Sequence, residues 1–228
     1  MKILCVIPAR GGSKGIERKN IRKINNKPLI AYTIESTLSS KLFDDVIVST
    51  DDSEIAEISK SYGAKVPFIR PSELAQDNAT SDQAILHAVV EMKKLGFEYD
   101  VVVLRDCTVP FIDINDMKNM LELFKESNCN AVFGAIKAHP SPYCGMMECN
   151  DNGFLIPSKT LEKETTRRQD APVVYDIDGI FILDNKNFLK TKKIFSGEIL
   201  PYEISKEHGH MIDFEFDFKV AELLLKNN

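Results

Sequence analysis

"CVIPARGGSKGIERKN", residues 5–20, decides the fold. A short apolar run (Ile3, Leu4, Val6, Ile7) meets Pro8 and opens into Gly11, Gly12 and Gly15. Among and beyond these glycines stand Arg10, Lys14, Arg18, Lys19 and Arg22. Residues 2–27 carry eight Lys/Arg against one acidic residue, Glu17, in a chain whose net charge is −5. Such local charge marks a focused anion site rather than a protein-wide field. Glycines let backbone N–H groups approach a phosphate, and Lys/Arg neutralise it. Neither common phosphate motif fits: the order Gly-Gly-Ser-Lys-Gly is not G-x-x-x-x-G-K-[ST], and the spacing fails G-x-G-x-x-G.

Outward from that loop, apolar strand runs alternate with helical patterns. "KILCVI" (2–7), "DVIVST" (45–50), "AKVPFI" (64–69), "DVVVL" (100–104), "NAVFGAI" (130–136) and "GIFILD" (179–184) read as strands. "PLIAYTIESTLSS" opens a helix at Pro28, Asp52 is placed to cap "SEIAEISKSY", and Gly63 to close it. Ser81 is read as the cap of "DQAILHAVVEMKKL", and Asp113 with Asp116 as the cap of "INDMKNMLELFKES". "KNFLK" and "DFKVAELLLK" complete the helical segments. The rhythm predicts an α/β fold, a mostly parallel Rossmann-like sheet with helices on both faces. Ligands of such sheets bind beyond the carboxyl ends of the strands, and the quoted loop is the first of these. Between 138 and 176 the rhythm fails in a turn-rich stretch, read as an inserted arm or flap within a single domain spanning 1–228.

Composition narrows the function classes. Hydrophobic residues at 43% and charged residues at 28% are globular values. No apolar run approaches the roughly 18 residues a bilayer span needs, and the apolar start is too short for a signal peptide. A cytoplasmic protein without a membrane partner is expected. Overall acidity argues against nucleic acid. The cysteines (Cys5, Cys107, Cys129, Cys144, Cys149) form no C-x-x-C pair and read as core or loop thiols. His87 falls in a helical apolar pattern and reads as packing, while His139, His208 and His210 fall in loops. None has a Ser or Cys partner that would support nucleophilic catalysis.

The order A-R-G-G-S-K-G-x-x-x-K-N resembles the signature of the CMP-sialic acid synthetase (acylneuraminate cytidylyltransferase) family. "KPLIAYTIE", "DDVIVSTDDSEIAEISKSYGAKV", "RPSELAQDNATS", "RRQDAP" and "IDFEFDFKVAE" follow in the family's order over nearly the whole chain. The resemblance implies a cytidylyltransferase that couples CTP to the hydroxyl of an acidic, nonulosonic-type sugar and releases pyrophosphate. It implies that Arg10, Ser13, Lys14 and Lys19 hold the triphosphate, with Gly11 and Gly12 giving backbone access. Asn20 and Arg70 would read the base, with Ser81 near base or ribose. Arg10, Lys19 and Asp213 would be the catalytic set. A homodimer joined through the 138–176 arm, serving surface-glycan synthesis, is also implied.

Mg²⁺ is the implied ion, bound through one or two carboxylates and phosphate oxygens. Asp213 matches a metal-binding aspartate of the family's "DIDTELD", but the preceding family aspartate falls on Met211. Asp106 in "VVLRDCTVPF" is the candidate replacement, the other reading being a pair with Arg105 or Arg10. For the acceptor, the candidates are Arg105, Arg168, Gln169, Tyr175, Asp176 and Asp178. Asp176 and Asp178 stand where relatives carry an arginine and an asparagine, and strand periodicity puts both on one face. They could bind metal, a cationic group or sugar hydroxyls, or form a solvated edge paired with Arg167 and Arg168. N-acetylneuraminate itself is therefore the less favoured acceptor. The alternatives are a relative with another acceptor or nucleotide, such as a phosphonate or GTP, and a non-catalytic nucleotide-binding regulator.

Overall fold

The computed structural model describes residues 1–13, 15–161 and 167–226, with the Arg168 side chain outside the description. From the N-terminus, β1 (Ile3–Pro8) leads through the basic loop to a small hairpin, β2 (Lys23–Ile24) and β3 (Lys27–Pro28), and then to α1 (Leu29–Ser40). Next come β4 (Asp45–Ser49), α2 (Ser53–Ser61), α3 (Ser81–Lys94), β5 (Val101–Arg105), α4 (Ile114–Glu126) and β6 (Ala131–Lys137). An arm hairpin of β7 (Met147–Cys149) and β8 (Leu155–Pro157) precedes β9 (Tyr175–Asp184), α5 (Asn185–Thr191), β10 (Ile199–Glu203) and α6 (Glu215–Lys226).

Six strands form one sheet in the order β10-β6-β9-β5-β1-β4. All neighbours are parallel except β9, which runs antiparallel between β5 and β6. The strands are apolar on both faces because both faces are covered. In β1, Ile3, Cys5 and Ile7 join the core under α1, α2 and α4, which contribute Ile30, Ile34, Ile55, Met117 and Met120. Leu4 and Val6 point the other way, into a core with Ile85, Ala88 and Met92 of α3 and Phe188 of α5. A third cluster joins loop residue Ile16 to Ile212, Phe218 and Ala221, so α6 anchors the basic loop from the far end of the chain.

Helix starts follow local chemistry. Asp52 accepts the N–H of Ile55, Asp113 that of Asn115, and Gly63 follows α2 with φ +92°. Three expectations need correction. Thr80, not Ser81, caps α3, closing a capping box with Gln83. Asp116 takes no part in capping α4 and instead meets His208 Nδ1 at 2.6 Å. The segment 64–69 is not a full strand: Lys65 makes one parallel bridge to Ile47, and Pro67 follows with no N–H to extend it. His87 packs edge-on against Phe68, as the helical pattern suggested. Among the described residues, no helix is long and apolar enough to cross a membrane.

Candidate functional site

β1 is flanked by β4 on one side and β5 on the other, so the loops leaving β1 and β5 diverge at their carboxyl ends. The crevice at such a divergence is where open α/β sheets bind ligands. A cleft of about 470 Å³ lies there, with Pro8 and Arg10 from the first loop and Asp106, Cys107 and Thr108 from the second on its wall. Residues 74–77, 79–81 and Ala84 form a further side, with Asp213 and Phe214 opposite. Of the sequence candidates, Arg10, Ser13, Lys19, Asn20, Arg70, Ser81, Asp106 and Asp213 all line this cleft.

The cations differ in their ties. Arg10 Nη1 donates to the Gln76 carbonyl and lies 3.2 Å from Asp77. Lys19 Nζ donates to the Ile212 carbonyl (2.9 Å) and to Asp213 Oδ1 (2.8 Å), joining the first loop to the last. Arg70 is 4% exposed, its guanidinium lies 3.8 Å from Asp51, and its Nε has no partner. Burial pushes its pKa down, yet the group remains a fixed cation on the cleft wall. Arg18 and Arg22 are committed elsewhere, to Asp52 and Glu54 and to Glu215, so much of the basic patch holds the loop in place.

Glycine and amide contacts shape the loop. The Gly11 N–H donates to Asp51 Oδ1, and Gly12 borders a shallower recess beside Ser13, Gln76 and Asp77. A Cβ on Gly15 would lie 2.6 Å from the Asp213 carbonyl oxygen, so only glycine permits this approach. Asn20 is buried; its Nδ2 donates to the Arg10 carbonyl, and its Oδ1 accepts from the Cys107 thiol. Lys14 lies outside the described residues.

The acidic end is built from three segments. Asp106 accepts the N–H and hydroxyl of Thr108 on Oδ1, leaving Oδ2 without a partner among the described residues. It forms no ion pair with Arg10 or Arg105. Asp178 accepts the N–H of Gly179 and sits where burial, then Asp106, Asp176 and Asp213, push its carboxyl up to about 7. Asp176, Asp178, Gln169 and Tyr175 do not line the cleft; Gln169 and Asp176 are exposed, and Tyr175 and Asp178 half-buried.

Arg105 is corrected from an acceptor contact to an interior residue. Its side chain is fully buried, and Nη1 donates to the carbonyls of Asp106 (2.9 Å), Val109 (2.7 Å) and Gly179 (3.2 Å). Burial lowers its pKa to about 10, so it stays charged at neutral pH. Thr108 is a site residue that sequence reasoning missed, although Asp-x-Thr after a strand signals this side-chain turn. Phe214, 68% exposed beside Asp213, was also missed.

Carboxylates and cations that converge at the head of a parallel sheet suit charge-neutralised transfer at phosphorus. Comparison with known proteins bears out the resemblance read from the first loop. The family described as "Cytidylyltransferase" matches residues 4–226. The pseudaminic acid cytidylyltransferase of Campylobacter jejuni (serotype O:23/36) is 34% identical over 230 residues, covering 100% of this chain and 98% of the relative. The N-acylneuraminate cytidylyltransferase of Escherichia coli O18:K1:H7 is 33% identical over 220 residues, covering 96% of this chain and 51% of that longer protein. A solved CMP:2-keto-3-deoxy-manno-octonic acid synthetase, complexed with CTP, shares the fold with a TM-score of 0.74 at 17% identity, covering 100% of this chain and 99% of the other. A chain that matches this family over nearly all its length, with the family's loop at the sheet's binding crevice, belongs to the cytidylyltransferase family and is a nucleotidyltransferase.

Proposed function

We propose that the chain transfers CMP from CTP to a hydroxyl of a nonulosonic acid, in a Mg²⁺-dependent reaction that releases pyrophosphate. The observation that carries this is one cleft with a buried, incompletely paired cation, Arg70, at one end and the carboxylates Asp106 and Asp213 at the other. The hydroxyl oxygen bonds to the α-phosphorus while the bond from that phosphorus to the oxygen bridging to the β-phosphate breaks, and pyrophosphate leaves. Arg10, Ser13 and Lys19, with Lys14 beside them in sequence, hold the phosphates. Arg70 and Asn20 meet the base, and Ser81 the base or ribose. Asn20 does so with an amide already oriented by the Arg10 carbonyl and Cys107.

Asp106 and Asp213 fit a hard divalent cation, since both line the cleft and each has one carboxylate oxygen without a hydrogen-bond partner among the described residues, while phosphates would supply the rest of the shell. Among the described residues no three acidic, His or Cys side chains form a closed ligand set, which suits an ion that keeps substrate and water ligands. When bound there, Mg²⁺ neutralises phosphate charge and assists the leaving pyrophosphate. A carboxylate at the acidic end takes the hydroxyl proton.

The acceptor differs from N-acetylneuraminate in this reading, because Asp176 and Asp178 replace the basic and amide residues expected there. Gln169, Tyr175 and Arg168 remain candidate acceptor contacts on the segment entering β9. Phe154 and Leu155, 70% and 64% exposed on the arm, support pairing of two copies through residues 138–176. The test is pyrophosphate release from each of the four nucleoside triphosphates with Mg²⁺. The acceptor panel holds pseudaminic acid, N,N'-diacetyllegionaminic acid, N-acetylneuraminic acid, 2-keto-3-deoxy-manno-octonic acid and a phosphonate. Release is expected with CTP and a nonulosonic acid other than N-acetylneuraminic acid. Release with GTP alone overturns the base assignment, and CTP binding without release with any acceptor favours a regulator.

A further inference from the structure

We propose that Arg105 is the positioning residue of the acidic end: from inside the protein it sets the backbone that carries Asp106, Asp178 and Asp213, without touching substrate. The inference rests on the reading of the cleft as a nucleotidyl-transfer site.

The side chain is out of place by ordinary rules. Arginine is rarely fully buried without a carboxylate partner, because desolvating the guanidinium is expensive. Arg105 has no carboxylate within 4.0 Å among the described residues, and its Nε and Nη2 have no hydrogen-bond partner. A methionine or leucine would fill the same space at the end of a strand more cheaply. The charged fork must therefore serve something besides packing.

Its three acceptors show what. The carbonyls of Asp106 and Val109 bracket the turn after β5, and the Gly179 carbonyl belongs to the residue that follows Asp178. The same Gly179 oxygen accepts the Asp106 N–H at 2.8 Å, so one guanidinium and one amide lock two carboxylate-bearing segments together. Gly179 sits at φ +83°, and a Cβ there would lie 2.7 Å from Ile112 and 3.0 Å from Val109, so the turn is folded tightly onto β9. Inside that turn, Thr108 holds Asp106 Oδ1 through two hydrogen bonds. The Thr108 carbonyl in turn accepts the Ile212 N–H at 2.8 Å, which sets the residue before Asp213. Lys19 closes the network from the nucleotide side, on the Ile212 carbonyl and the Asp213 carboxylate. One buried side chain thus holds two of these segments directly, and the third, which carries Asp213, hangs on the same turn through the Thr108 carbonyl.

Two roles for that side chain predict opposite results. If Arg105 matters only as a counter-charge, its removal makes the cleft more negative and binds a divalent cation more tightly. If it positions the carboxylates, removal scatters them and binding weakens. The experiment is a Mn²⁺ titration followed by electron paramagnetic resonance on CTP-saturated protein, with a CTP-only blank, for the parent, Arg105→Met and Arg105→Lys. Removing a residue that orients the ligands of a metal typically weakens metal binding about 10- to 100-fold. Arg105→Met is expected to bind Mn²⁺ about 10-fold more weakly while its CTP affinity without metal stays within about 3-fold, and Arg105→Lys to recover part of the loss. Unchanged or tighter Mn²⁺ binding in Arg105→Met overturns the inference. If Arg105→Met does not fold, Arg105→Lys decides: weaker binding supports the inference, and parental binding overturns it. A parent that binds no Mn²⁺ overturns the metal reading and this inference together, whereas parental binding with indifferent variants overturns only the role of Arg105.

Discussion

The two ends of the cleft are held in opposite ways. At the nucleotide end each described cation already has an internal anion or carbonyl: Arg10 has Asp77, Arg70 has Asp51, and Lys19 has Asp213. At the acidic end Asp106 and Asp178 rest on N–H and hydroxyl donors, and among the described residues neither carboxylate forms an ion pair. A triphosphate entering the first end exchanges one set of pairs for another, so its gain is a difference between similar terms. A divalent cation entering the second relieves repulsion outright. In the proposed reading, this asymmetry leaves affinity for the nucleotide to geometry already built, and the catalytic charge to what binds at the acidic end.

The largest expected effect tests the acidic end. Asp213→Asn keeps a hydrogen-bond acceptor for Lys19 but removes a charge, and should lower kcat by about 100-fold and raise the Mg²⁺ requirement. Steady-state pyrophosphate release against Mg²⁺ concentration measures both, and a parental profile would break the comparison. Arg70→Met should act on the other parameter, raising the KM for CTP by about 30-fold with kcat nearly kept, because a buried charge-assisted contact is lost. Arg70→Lys should not restore it, since a compact ammonium cannot reproduce a planar fork.

Lys19 belongs to both ends and sharpens the contrast. Lys19→Ala should raise the KM for CTP by about 10-fold, and its effect should not add to that of Asp213→Asn. The two side chains bond directly at 2.8 Å, so a double-mutant cycle should return a coupling of about 1 kcal/mol. Additivity within about 0.3 kcal/mol would mean that the pair seen without ligand plays no part when the enzyme works.

Much of this was legible in the sequence where the physics is local. The alternation within β1, the Asp52 and Asp113 caps and the Gly63 helix end follow from period and turn chemistry, and all appear. Thr80-x-x-Gln83 is equally readable as a capping box, and it sets the cap of α3 one residue before Ser81. β10 went unread because Pro201 interrupts "ILPYE", and such a strand survives only at the sheet edge, where the structure puts it. The nucleotide loop was legible as a motif, but its ties to residues 212–215 were not, since nothing within residues 5–20 points across nearly two hundred positions. Arg105 was misread for the same reason. A charged residue at a strand's carboxyl end is ordinarily a ligand contact, and only the fold shows that it turns inward.

The smallest expected effect tests the acidic end with no substrate at all. Asp178 has its carboxyl pushed up to about 7 by burial and by neighbouring carboxylates. An ordinary carboxyl titrates near 4 in the unfolded chain, so the folded state binds this proton more tightly, and stability falls as pH rises from about 4 through about 7. Asp178→Asn removes that penalty while its amide oxygen can still accept the Gly179 N–H. In metal-free buffer at pH 8 the variant should be more stable than the parent by about 1 kcal/mol, a rise in Tm of about 2–4 °C. At pH 5, where the parent's Asp178 already carries its proton, the gain should shrink toward nothing. Mg²⁺ with CTP should also narrow the gap at pH 8, because the cation neutralises Asp106 and Asp213 and relieves the same repulsion. A destabilised variant at pH 8, or a gain independent of pH, would mean that the carboxylates are too far apart or too well solvated to repel. The contrast between a pre-paired cationic end and a self-repelling acidic end would then fail at its weaker side.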